Sequence, residues 1–145
     1  MGLALAVTVM VGVEATEGSQ PVDFNRDVRP ILSRHCFKCH GPDEQARKAG
    51  LRLDLRDGAV GAKGSGAAIV AGDPEASELV YRVLTEDELD VMPPPTADRP
   101  LSTEQKEVLS RWVAEGADYA PHWSFAAPVR PAVPKVQRRK WPLNP

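Results

Sequence analysis

The chain has little of several things, and each shortage narrows its function. Only two of its 145 residues are cysteine, three positions apart, so a scaffold held by several disulfides is excluded. Aromatic residues are 6% of the total. Neither sign of charge dominates: 18 basic residues face 20 acidic ones, a formal net charge of −2. Such a balance does not suit a nucleic-acid binder, which needs a basic surface. No apolar run reaches the ~18–20 residues of a membrane span. The glycine-rich stretch Gly61 to Gly72 lacks the G-x-x-x-x-G-K-[ST] order of a phosphate loop. No internal repeat is visible, and the length suits one domain.

What is present is equally specific. Apolar residues make up 42%, enough for a packed core. Proline is abundant, 14 of 145, about twice the usual ~5%. Residues Gly2 to Val13 form an uncharged apolar run that suits the core of a signal peptide and is too short to cross a bilayer. Val13-Glu14-Ala15 supplies a small-residue cleavage pattern, although no Lys or Arg precedes the run. Residues 1–15 are therefore expected to be a signal peptide, and the protein to be exported to the periplasm or cell envelope.

Residues 22–120 read as one all-α domain with long loops. Asp27 as cap, Pro30 in the first turn and apolar Val28, Ile31 and Leu32 predict a helix that runs into the cysteine pair. Gly41-Pro42-Asp43 breaks it. Leu51, Leu53 and Leu55 alternate with Arg52, Asp54 and Arg56, the period of a short extended segment with one apolar side. Gly58 to Gly72 holds five glycines and reads as a flexible loop. Asp73-Pro74-Glu75 predicts the start of a second helix, with Leu79, Val80, Val83 and Leu84 on its apolar face. Met92-Pro93-Pro94-Pro95 ends regular structure. Ser102 and Gln105 form a capping box for a third helix, which buries Val108, Leu109, Trp112 and Val113 and stops at Gly116. Residues 121–145 carry six of the prolines and no helical period, and read as an extended linker leading toward a further C-terminal region.

The chemistry lies in Cys36-Phe37-Lys38-Cys39-His40, a C-x-x-C-H sequence, the attachment signature of c-type haem. Two cysteines at i and i+3 stand one helical turn apart. Both sulfurs can then reach the two vinyl groups on one porphyrin edge, and the next residue, His40, falls beneath the iron as the proximal ligand. Its other ring nitrogen should donate to a backbone carbonyl. Three other readings compete. A thiol-redox C-x-x-C usually follows a strand, whereas a helix precedes this one. Zinc needs four ligands, and only His35 and His122 remain to add to the motif. A disulfide within the motif closes too small a loop to stabilise much.

One methionine, Met92, lies outside the N-terminal segment, 52 residues after His40. A thioether is a soft neutral ligand that raises the reduction potential, and the prolines after it would hold the loop against the iron. His35 and His122 are rival axial candidates; His35, beside the motif, is expected to point away. Leu51, Leu53 and Trp112 are candidates for the haem-pocket lining. Arg47, Lys48 and Arg52 are candidates to pair with haem propionates.

Phe24 to Leu32, Cys36 to Pro42, Leu51 to Asp54, Gly72-Asp73-Pro74, Met92 to Pro95, Leu101-Ser102 and His122 to Phe125 together resemble the planctomycete-type cytochrome c domain. The resemblance spans Val22 to Phe125. It implies a small class I cytochrome c fold around one covalent haem. It also implies Cys36 and Cys39 as thioether sites, and His40 and Met92 as axial ligands. Members of this family usually stand at the N-terminus of larger exported proteins. The implied activity is electron transfer to a partner protein or to a downstream domain of the same polypeptide. If Met92 does not bind iron, the site becomes a five-coordinate haem peroxidase or sensor. A non-haem thiol-redox module is the third reading.

Overall fold

The computed structural model describes residues 20–61, 64, 66–97, 99–125 and 127–131. The expected signal peptide (1–15) and most of the expected linker lie outside these residues. The described chain is helical. It contains no strand, only an isolated parallel bridge between Val60 and Ile69. Among the described residues no helix is long and apolar enough to cross a membrane.

The chain enters through a π-helical turn, Phe24–Val28. Its cap is Asp23, four residues before the Asp27 expected from sequence. The Asp23 carboxylate accepts from the Arg26 amide at 2.7 Å, and Asp27 reaches back to accept from the Asp23 amide at 2.9 Å. The two acids thus satisfy amides that a helix start leaves without partners. Helix α1, Arg29–His35, follows directly, with Pro30 in its first turn and Ile31 and Leu32 buried. It does not run through the motif. Cys36 (φ −121°, ψ −41°) interrupts it, and helix α2, Phe37–His40, carries the rest as a separate turn.

The extended segment buries Leu53 and half-buries Leu51, but Leu55 is exposed because a 3₁₀ turn, Arg56–Gly58, begins immediately after it. The glycine-rich stretch is better anchored than its composition suggests. Ile69 is fully buried; its amide donates to Ala59 O, and its carbonyl accepts from the Gly61 amide. The Gly72 amide donates to Val113 O, pinning the end of the stretch to the last helix.

Helix α3 is Glu78–Leu84, starting four residues later than a cap at Asp73 would place it. Asp73 does cap a turn, accepting from the Ala76 amide at 3.0 Å. The turn is not continued because Ser77 adopts an extended backbone (φ −94°, ψ 115°). Its buried hydroxyl donates to Asp73 O and accepts from the Val70 amide. Leu79, Val80 and Val83 are buried, whereas Leu84 is half exposed at the helix end. Helix α4, Thr103–Ala114, has the reciprocal Ser102–Gln105 capping box that its sequence predicts, and it buries Leu109, Trp112 and Val113. Val108 is only half-buried. Gly116 (φ 113°) makes the left-handed exit that terminates it.

Both chain ends of the described domain meet at one aromatic cluster. Phe24 lies 4.5 Å from Tyr119 and 5.8 Å from Trp112, ring centre to ring centre. The Arg29 guanidinium covers Phe24 at 5.0 Å and also donates to Ala120 O. The Asn25 amide closes the seam by donating to Pro121 O at 2.7 Å. This seam holds α4 against the entry turn and leaves the opposite side of α1 and α4 free to frame a cavity.

Candidate functional site

A cavity of about 1010 Å³ opens beside α2. That is at the upper end of the ~300–1,000 Å³ usual for ligand pockets. Cys36, Cys39 and His40 form one wall, together with Leu51 and Leu53. Leu79 and Val83 from α3 and Leu109 from α4 add apolar surface. Met92, Pro93 and Pro94 lie on the rim segment that completes it. Cys36, Cys39, His40, Leu51, Leu53 and Met92, all singled out from sequence, therefore converge on one space.

The motif is held by the chain that follows it. Helix α2 is one turn long, so its last carbonyls need outside partners. Cys39 O accepts from the Lys48 amide at 2.7 Å, and His40 O from the Leu53 amide at 2.9 Å. Arg47 donates to Gly41 O and Pro42 O. Gly41 is itself fixed by crowding: a Cβ there would collide with the Phe37 carbonyl oxygen. That requirement has no local sequence signal beyond its position after His40.

Met92 is positioned from α3. Its amide donates to Arg82 O at 2.7 Å. The Arg82 guanidinium reaches the carbonyl and the carboxylate of Asp90 and also pairs with Glu78. The Tyr81 hydroxyl donates to the other Asp90 carboxylate oxygen at 2.9 Å.

The two thiols differ. Burial pushes the Cys36 thiol up to about 12, with the nearby Cys39 adding to the shift, whereas Cys39 is exposed. Two imidazole nitrogens, His40 Nδ1 and His35 Nε2, are buried without a hydrogen-bond partner. The backbone acceptor expected for the second nitrogen of His40 is thus not in place. Buried polar groups are nearly always paired, and here two orphans belong to residues of the same cavity wall. Free thiols at i and i+3, an adjacent imidazole, a thioether and an apolar interior fit a haem attached at Cys36 and Cys39. Among the described residues there is no cluster of three or more His, Cys, Asp or Glu to hold a metal ion by itself.

Several expectations are corrected. Trp112 does not line the cavity; it is 1% exposed in the aromatic cluster, with its indole N–H donating to Asp118 O. Arg47, Lys48 and Arg52 do not line it either. Arg47 is spent on the turn after His40. Arg52 grips Asp54 bidentately, which holds the Asp54 carboxyl below its ordinary value. The cations that do line the cavity are Arg34, Lys38, Arg82 and Arg99, against one carboxylate, Glu78. His35 does not point away: it lines the cavity. His122 does not; its Nδ1 lies 2.8 Å from the Ser124 hydroxyl in an exposed turn. Leu79, Val83 and Leu109 were legible as helix faces, but nothing in their spacing distinguishes a cavity wall from ordinary core.

No curated protein and no solved structure matches the chain. One family model does, described as planctomycete cytochrome C, over residues 36–96, somewhat under half of the chain. The match begins at the first cysteine of the motif and closes just past the methionine–proline run, so the stretch from Cys36 to Thr96 is similar to that family.

Proposed function

We propose that this protein is an exported c-type cytochrome module that binds one covalent haem and carries single electrons. The observation that carries the reading is that Cys36, Cys39, His40 and Met92 line one cavity although Met92 is 52 residues from His40. Cys36 and Cys39 would hold the haem covalently through their sulfurs, and His40 and Met92 would ligate its iron. A haem so ligated supplies a one-electron iron couple and no open coordination site. Leu51 and Leu53, with Leu79, Val83 and Leu109, keep water from the macrocycle. Arg34, Lys38 and Arg99 would supply positive charge for its carboxylates. Residues 22–120 would constitute the domain and 121–145 a tether. A tether raises the effective concentration of a redox partner on the same polypeptide without a large interface. A separate partner protein would serve equally.

The test is a reduced-minus-oxidised visible spectrum of protein matured by a c-type attachment system. The expected result is a covalent c-type spectrum with a methionine–iron charge-transfer band that vanishes in Met92→Ala. A covalent haem lacking that band in the parent protein would instead indicate the five-coordinate peroxidase or sensor. Protein matured in this way with no covalent haem, both cysteines free or bridged, would falsify the cytochrome reading.

A further inference from the structure

His35 stands at the end of α1, one residue before the motif, and its ring joins two parts of the site that are far apart in sequence. Its Nδ1 lies 3.0 Å from Arg99 O, across 64 residues. A carbonyl oxygen can only accept, so Nδ1 carries the proton and donates. Arg99 follows the rim segment that begins at Met92. That segment is therefore tied at two places: to α3 through the Met92 amide and Arg82 O, and to α1 through His35. The first tie is at the first residue of the methionine–proline run and the second follows the run. Without the second, the prolines stiffen the segment locally but do not fix it against the cysteine wall. His35 Nε2 is buried and unpaired in a residue that lines the cavity, so the ring is not merely a surface group that brushes a carbonyl.

We propose that His35 is a positioning residue that latches the Met92 rim segment to the motif helix. It acts through Arg99 and does not itself bind iron. The proposal rests on Met92 being the sixth ligand, as set out above. The latch needs one N–H donor at the Nδ1 position, so an asparagine amide should replace it and a phenylalanine ring should not.

The test compares the haem-loaded parent protein, His35→Asn and His35→Phe. Two readouts are taken: the methionine–iron band, and hydrogen exchange of the Ala97 amide, which donates to Pro94 O within the segment. The expected result is roughly tenfold faster exchange at Ala97 in His35→Phe, the size of one lost hydrogen bond. The band weakens on warming in that variant, and His35→Asn stays close to the parent. Exchange and band unchanged in His35→Phe would overturn the latch. If the parent itself lacks the band, ligation by Met92 fails, while the exchange comparison still reads the tie. Nitrogen NMR of the reduced parent protein provides a check that needs no variant. Nδ1 of His35 should carry the proton; a ring protonated only at Nε2 overturns the proposal.

Discussion

The amide of Met92 donates to the carbonyl of Arg82 across 2.7 Å, so the segment bearing the sulfur is registered on the last turn of α3. The side chain of the same Arg82 grips Asp90, two residues before Met92, by backbone and carboxylate together. One residue thus holds the rim from both its backbone and its side chain.

Asp90→Ala removes the carboxylate that accepts from both Tyr81 and Arg82 but keeps the backbone contact. These groups are substantially exposed, and such pairs contribute about 0–1 kcal/mol. Global stability should therefore fall by no more than about 1 kcal/mol in a urea melt. The methionine–iron band should weaken at temperatures well below unfolding. A band as heat-resistant as the parent's would mean that Asp90 does not help to hold Met92.

Gly41→Ala forces a side-chain carbon against the Phe37 carbonyl at the end of α2. Backbone crowding of this kind costs about 1–3 kcal/mol. Because the turn carries His40, the expected outcome is less haem attached per protein as well as a lower melting temperature. Parent-like haem content together with parent-like melting would show that the turn relaxes freely.

Trp112→Ala separates core from cavity. Emptying a site that is 1% exposed should cost about 3–5 kcal/mol in denaturant unfolding. Since Trp112 is not in the cavity wall, the absorption bands of the folded variant should keep the parent's positions. Leu53→Ala, at the wall, should lower stability by about 2–5 kcal/mol and shift the bands as well. Bands displaced in Trp112→Ala and unmoved in Leu53→Ala would reverse the assignment.

Tyr119 gives the fold an alkaline limit. Its hydroxyl donates to Leu53 O at 3.2 Å, and burial, reinforced by Asp54, raises its pKa above the ordinary 10.0. The native state keeps a proton that the unfolded chain releases from about pH 10 upward. The titration of this group therefore leaves stability unchanged below about pH 10 and lowers it as pH rises beyond. Tyr119→Phe should lose about 0.5–1.5 kcal/mol near neutrality from the missing hydrogen bond. It should then show a shallower loss between pH 10 and 12 than the parent, followed by circular dichroism in urea. Parallel curves for the two proteins would exclude Tyr119 as a source of the alkaline loss.

Local chemistry was legible wherever it depended on near neighbours in sequence. The C-x-x-C-H spacing of Cys36, Cys39 and His40 is read directly from the sequence, because one helical turn is a local distance. The Ser102–Gln105 box and the α4 face Leu109–Trp112–Val113 were equally readable, since capping and helical period are both short-range. Met92 stood out by elimination, as the one methionine beyond the N-terminal segment. Helix starts were less legible. Asp27 and Asp73 both have the right composition for a cap, but Asp23 and Ser77 occupy the caps because their backbones are extended there.

What the tertiary structure decided is which residues share a surface. Trp112 and Leu109 lie three residues apart on α4, one in the aromatic seam and the other on the cavity wall, and only the helices packed around them assign those sides. Ile69 is fully buried inside a glycine-rich stretch because Ala59 and Gly61 hydrogen-bond its backbone. Arg47 and Arg52 are diverted by nearby carbonyls and Asp54, while Arg82 and Arg99 come to the cavity from distant segments. The choice of Cys36, Cys39 and His40 as candidate attachment residues thus rests on the sequence alone. The wall around them, and the tie between His35 and Arg99, arise only when segments 64 residues apart are brought within hydrogen-bonding distance.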